Sequence, residues 1–145
     1  MSNSLPVEVR RTIDSDIPFI FNSWLKAYRN AKAVAEVTQN VYFSEHHKLV
    51  EKLLKRGQTL VVGAANDPAT VYGYINYEHV QGLFVLHFAY IKHDFRHLGL
   101  FKELMKATGQ DFSTLGCYTH RISKNVLILE DKFNLVYHPY ILINY

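Results

Sequence analysis

Between Thr59 and Lys92 the chain passes through three stretches rich in apolar, β-branched and aromatic residues, TLVVGAA, TVYGYINYEH and GLFVLHFAYIK, with only NDPA and VQG to break them. Such stretches read as strands, and connections of three or four residues turn a chain straight back on itself, whereas parallel neighbours need a crossover of a dozen residues or more. The segment therefore predicts an antiparallel meander. Everything else must pack around it.

Before the meander, VEVRRTI alternates polar and apolar residues and predicts a first strand, Val7 to Ile13. DSDIP follows, with Asp14 and Ser15 as capping candidates and Pro18 in a first helical turn, where its missing N–H costs nothing. Ile17, Ile20, Phe21, Trp24, Leu25 and Tyr28 then recur at helical spacing. Ser44 is expected to open a second helix, with Leu49, Val50, Leu53 and Leu54 as its apolar positions and Gly57 as its stop. After the meander, LGLFKELMKAT predicts a helix with Gly109 past its end. A short strand is expected near Cys117 to His120, then a shorter helical stretch from Ser123 to Phe133. The tail NLVYHPYILIN returns to strand character, broken by Pro139. This order predicts an α+β fold: a mixed, mostly antiparallel central sheet with helices on both faces.

At 145 residues and 48% hydrophobic content the chain is long enough for one sizeable core, so a single domain spanning 1–145 is expected. Sixteen Lys and Arg against 13 Asp and Glu give +3, mildly basic and short of a dedicated nucleic-acid arm; nucleic acid is neither indicated nor excluded as a partner. The only cysteine is Cys117, which rules out an intrachain disulfide and the Cys pairs of a structural zinc site. His46 and His47 are adjacent and diverge on a helix, so no metal is predicted. No apolar run approaches the ~20 residues of a membrane span, and MSNSLPVEVRR lacks a signal-peptide centre. A soluble, cytoplasmic protein is the expectation.

The segment YIKHDFRHLGLFKEL hands a strand over to a helix through a loop holding Arg96, His97 and Gly99. A helix start offers free N–H groups and a partial positive charge, which together hold phosphate. The N–H groups from about Phe95 to Phe101 can point into one concavity, with Arg96 and His97 adding charge at its rim and Gly99 allowing close backbone approach.

In its element order and in the run Arg96-His97-Leu98-Gly99-Leu100-Phe101 the sequence resembles the GNAT family of acyl-CoA-dependent N-acyltransferases, whose loop reads Arg or Gln, two residues, Gly, one residue, then Gly or Ala. Phe101 stands where the second small residue belongs. A narrower resemblance, carried by the LHFAYIK strand, the Thr119-His120 pair and the ending Tyr137 to Tyr140, is to small GNAT-like proteins of tailed phages, which would place the protein in a host cytoplasm. The family resemblance implies acetyl-CoA or another acyl-CoA as cofactor, bound along the backbone of Ala89, Tyr90 and Ile91 and by residues 96 to 101. Ser123 and Asn125 are further candidates to touch the pantetheine arm. The acceptor implied is an amine on a small molecule, peptide or nucleotide. Acylation of a modified nucleobase is an alternative, and so is a catalytically degenerate member that binds a protein or nucleic acid.

Attack of an amine on a thioester needs a base and, later, an acid for the thiolate. His87, on the strand before the loop, is the first candidate base; strict alternation gives it one face with Val85, Ala89 and Ile91. Glu78 and His79 are alternatives, or else a solvated hairpin end. The family resemblance implies an acid Tyr on the helix after the short strand, but SKNVLILEDKF contains none; Tyr137, with Tyr140 nearby, is the candidate acid without a positional match. Trp24, Tyr28 and Arg29 are candidates for the acceptor site, Trp24 and Tyr28 being alternatively core residues. The aromatic ending YHPYILINY would suit a homodimer interface.

Overall fold

The computed structural model describes residues 6–122 and 126–144. Six strands form one sheet in the order β1-β2-β3-β4-β5-β6: β1 Val7–Arg11, β2 Gln58–Ala64, β3 Val71–Val80, β4 Leu83–Ile91, β5 Gly116–Tyr118 and β6 Leu135–Tyr137. The first four pair antiparallel, as the short turns demand. β5 then joins β4, and β6 joins β5, in parallel. Helices α1 (Ile17–Tyr28) and α2 (Gln39–Arg56) cover one face, where Ile20, Trp24, Val50 and Leu53 pack on Val61, Tyr74 and Phe88. Helix α3 (Leu100–Ala107) covers the other, setting Leu100, Leu104 and Met105 against Leu60, Val62, Ile75 and Leu86. The expected α+β architecture, with helices on both faces, is the observed one.

Several boundaries move for local reasons. β1 ends at Arg11, two residues early, because Asp16 draws the next turn back: its carboxylate accepts from Ile13 N–H at 2.9 Å and from both Arg10 Nη atoms at 2.8 and 3.1 Å. Neither Asp14 nor Ser15 caps a helix through its side chain. Burial alone would raise the Asp16 carboxyl, but the Arg10 hydrogen bonds and charge, the Ile13 N–H and the Thr12 hydroxyl outweigh it and hold it below the usual carboxylate range. Helix α2 starts at Gln39, five residues before Ser44, since buried Tyr42 anchors an extra turn by donating its hydroxyl to Leu25 O at 2.6 Å. Of the tail expected to have strand character broken by Pro139, only Leu135–Tyr137 is a strand: His138 N–H donates to Tyr118 O, Pro139 has no N–H to continue, and Pro139–Asn144 coil as a 3-10 turn. Of the stretch expected to be helical from Ser123, the described part holds a wide π turn, Ile128–Lys132.

One irregularity positions the site. Across β3 and β4, Asn76 faces Phe88 and Tyr77 faces Leu86, so His87 is the extra residue of a β-bulge. Leu86, Ala89 and Ile91 pack toward α3, whereas Phe88 and Tyr90 pack toward α1 and α2. His87 shares the α1/α2 face with its neighbour Phe88, its ring reaching Thr119 and through it His120 beneath Trp24. The expectation that His87 lies with Ala89 and Ile91 is therefore corrected: strict alternation fails at the bulge.

Candidate active site

β5 pairs with β4 only at Val85 with Cys117 and Leu86 with Tyr118, and the last rung is Thr119 N–H donating to Leu86 O at 3.2 Å. Beyond it β4 runs on to Ile91 while β5 has ended. The two strands thus part into a gap. On the other side, Lys92 N–H donates to Tyr72 O at 2.8 Å. Ladder alternation then points the Phe88 and Tyr90 peptides toward β3 and turns the Ala89 and Ile91 peptides into the gap. Arg96 Nε donates to Ile91 O at 2.8 Å. The Tyr90 ring lies on the α1 side, 6.0 Å from the Phe19 ring.

The loop after β4 has two left-handed residues, His97 at φ 67° and Gly99 at φ 78°. For His97 that conformation is uncommon. The first α3 rung runs from Glu103 N–H to Gly99 O, so the N–H groups of Gly99 to Lys102 precede the helical ladder. A side chain on Gly99 would meet nothing within 4 Å, so the loop is open there. Leu98 is exposed and Leu100 buried. Phe101 leaves the loop, packing edge-on against Phe133 at 5.2 Å on the α3 side. A cleft of about 370 Å³ lies between α1 and the end of β4, lined by Phe19, Asn22, Ser23, Lys26, Tyr90 and Arg96.

On the α1/α2 side of the gap's closed end, buried side chains make a continuous chain. Glu78 Oε2 lies 2.6 Å from His87 Nε2, His87 Nδ1 lies 2.8 Å from Thr119 Oγ1, Thr119 Oγ1 lies 3.0 Å from His120 Nδ1, and His120 Nε2 lies 2.9 Å from His46 Nε2. Arg56 stands 3.8 Å from the other Glu78 oxygen. Glu78 is thus buried and engaged, which corrects the solvated-hairpin reading; exposed His79 contacts Gln110 at 3.2 Å instead. With both nitrogens bonded and 1% exposure, His87 has no ring atom left to meet an amine directly.

The aromatic residues singled out on α1 form a cage over His120. The Trp24 ring stacks on Phe88 at 4.9 Å and meets His120 edge-on at 5.3 Å, and Tyr28 lies 4.6 Å from His120. Trp24 Nε1 is buried without a hydrogen-bond partner among the described residues. Arg29 turns away, donating to Val34 O and Val37 O and covering the Tyr42 ring. Half-buried Tyr137 lies against Tyr118 at 5.5 Å under the Arg121 guanidinium, and Tyr140 is exposed. Ser123 and Asn125 lie outside the described residues. Sequence reasoning missed His46, Thr119 and His120 as a group. His47 stacks on Phe21 instead, and among the described residues no three potential metal ligands cluster.

Burial lowers His120 well below its ordinary value, with His46 and His87 adding to the effect. Burial likewise takes His46 down to about 4, and lowers His87 despite Glu78 pulling the other way. All three are neutral when folded at pH 7 and would bind protons more readily when unfolded, near 6.5. Stability therefore rises with pH up to about 6.5 and falls below it. Asp16 acts in the same direction, but only below the ordinary carboxylate range near 3.8. Urea midpoints at pH 5, 6 and 7 should increase in that order; a flat series would contradict the neutral histidine chain.

The fold is that of the GNAT acetyltransferases. A protein from Clostridium difficile 630 described as a possible acetyltransferase superimposes with a TM-score of 0.58, covering 92% of this chain and 91% of its own at 16% identity. One of the same provisional description from Deinococcus radiodurans R1 gives 0.53, covering 93% and 86% at 14% identity. The PaiA N-acetyltransferase of Thermoplasma acidophilum, in complex with coenzyme A, gives 0.51 over 75% and 70% at 15% identity. No protein-family model and no curated protein sequence matches the chain. Among the described residues no helix is long and apolar enough to cross a membrane.

Proposed function

We propose that this chain is a single-domain, acyl-CoA-dependent N-acyltransferase that moves an acyl group, acetyl in the first instance, to a primary amine by direct attack. One observation carries the reading: the peptides of Ala89 and Ile91, facing a gap with no strand partner, lie one short loop away from the free N–H groups that begin α3. Strand peptide groups that no neighbouring strand pairs suit an amide-bearing arm, and N–H groups at a helix start suit phosphate. Coenzyme A carries both. The complex of the Thermoplasma neighbour with coenzyme A supports the same assignment.

A bound acyl-CoA would supply the thioester carbonyl and a thiol that leaves. The protein's part is to bind and to move protons. Ala89 and Ile91 would pair with the pantetheine amides, and residues 96 to 101 would hold the pyrophosphate. Phe101 leaves room for this by packing on Phe133. Arg96, which covers Ile91 O, would exchange that carbonyl for phosphate. Lys26 and Arg96 make the cleft beside α1 cationic at its rim. Tyr137 remains the candidate donor to the leaving group.

Coenzyme A should raise the melting temperature, since a ligand bound only to the native state stabilises it by about 2.7 kcal/mol at 100 times Kd. Gly99→Asp should abolish the effect: it puts a carboxylate beside the phosphates and a side chain on a left-handed residue. Calorimetry without binding at millimolar coenzyme A would end the enzyme reading.

A further inference from the structure

We propose that Glu78, His87, Thr119, His120 and His46 form one proton relay, and that its outer end, His46 Nδ1, takes the proton an acceptor amine must lose. The amine rests on the acyltransferase reading; the relay itself does not.

The direction of the relay follows from its inner end. An ionised carboxylate only accepts hydrogen bonds, and Arg56 beside Glu78 favours that form. His87 must then carry its proton on Nε2 to donate to Glu78, leaving Nδ1 to accept from the Thr119 hydroxyl. The Thr119 oxygen in turn accepts from Nδ1–H of His120, so His120 Nε2 is bare and accepts from Nε2–H of His46. One acceptor thus fixes three tautomers across β3, β4, β5 and α2. At the far end His46 is half-buried, and its Nδ1 has no hydrogen-bond partner among the described residues. Facing its ring are Tyr28 from α1, Tyr42 from its own helix with the Arg29 guanidinium over that ring, and His120 from the end of β5.

The relay also passes the right place. Thr119 makes the last rung between β4 and β5, so His120 is the first residue beyond it, at the closed end of the gap. Polar groups buried in series beneath Trp24, Tyr28 and Phe88 are costly compared with apolar residues of the same size, which makes packing a poor reason for them.

The step balances without electron transfer. An ammonium group gives one proton to His46 Nδ1, and the His46 Nε2 proton moves to His120 Nε2. The His120 Nδ1 proton moves to Thr119 Oγ1, the original Thr119 proton to His87 Nδ1, and the His87 Nε2 proton to Glu78. Every imidazole ends neutral with its tautomer reversed, and Glu78 holds one proton. The reverse shift later returns it to water at His46. In this scheme His46 is the catalytic residue, while His87, Thr119 and His120 act through it.

The test is a long-range proton–nitrogen correlation spectrum of the 15N-labelled wild-type protein at pH 7. It should show Nε2–H on His46 and His87 and Nδ1–H on His120. Thr119→Val should shift the ring nitrogens of both His87 and His120, and Thr119→Ser should restore them. With acetyl-CoA and a panel of simple primary amines, Thr119→Val should lower kcat by about 10²-fold, the low end for lost acid–base catalysis, with KM for acetyl-CoA within about twofold and recovery in Thr119→Ser. A wild-type His120 protonated on Nε2 would overturn the relay, as would a folded Thr119→Val protein turning over at the wild-type rate. Absence of coenzyme A binding would instead remove the amine as proton source, and the tautomer pattern would stand or fall separately.

Discussion

A Trp24→Ala protein is expected to lose about 3–5 kcal/mol of stability, the range for deleting a large aromatic side chain from a core. Trp24 has no exposed surface, and its ring lies nearly parallel to Phe88, at 7°. The indole also forms one wall of the cage over His120. Its loss would admit water there, so His120 should regain part of its basicity as the effect of burial relaxes. Trp24→Phe provides the control. The indole Nε1 makes no hydrogen bond among the described residues, so phenylalanine gives up area and stacking but no polar contact, and about 1–2 kcal/mol is expected. Urea unfolding measures both variants, and nitrogen shifts against pH follow His120. Wild-type stability for the alanine variant would contradict the packing of this core.

His87→Ala should lower turnover by ~10²–10⁴ while leaving coenzyme A affinity within about twofold. The peptides of Ala89 and Ile91 do not depend on the imidazole, which faces away from them. Stability should fall as well, because Glu78 loses a 2.6 Å partner inside the protein. The two effects separate in one experiment: kcat and Kd measured well below the unfolding midpoint, beside a denaturation curve. A folded variant with unchanged kcat would mean that His87 only fills and satisfies the interior.

The meander and the loop after it were legible because their signals are local. Alternation, short turns and the Arg96 to Gly99 spacing each lie within about ten residues, and the structure keeps all three except where the bulge at His87 breaks the alternation. His87 was also legible as a residue of interest, since imidazole chemistry is visible in composition. Its company was not. His46 and His120 are 74 residues apart and meet only because α2 crosses the end of β5. Glu78 and His87 touch because β3 and β4 pair with a slip, and nothing in VLHFAY marks where an extra residue is absorbed. The early start of α2 depends on one buried hydroxyl, that of Tyr42, a tertiary contact with no trace in helical periodicity. The tail misled in the opposite sense: PYILIN has strand composition, but Pro139 removes the donor that a strand would need.

The bulge at His87 has a consequence for the length of β4. Without that residue Leu86 would precede Phe88 directly, and the strand would be regular. Leu86, Ala89 and Ile91 would still look toward α3, Phe88 and Tyr90 would still look toward α1, and the pairs with Tyr77 and Asn76 would stay as they are. A single-residue deletion there should therefore leave both cores correctly faced, shortening the strand by about 3.3 Å. His87 is thus a supernumerary residue in a sheet complete without it.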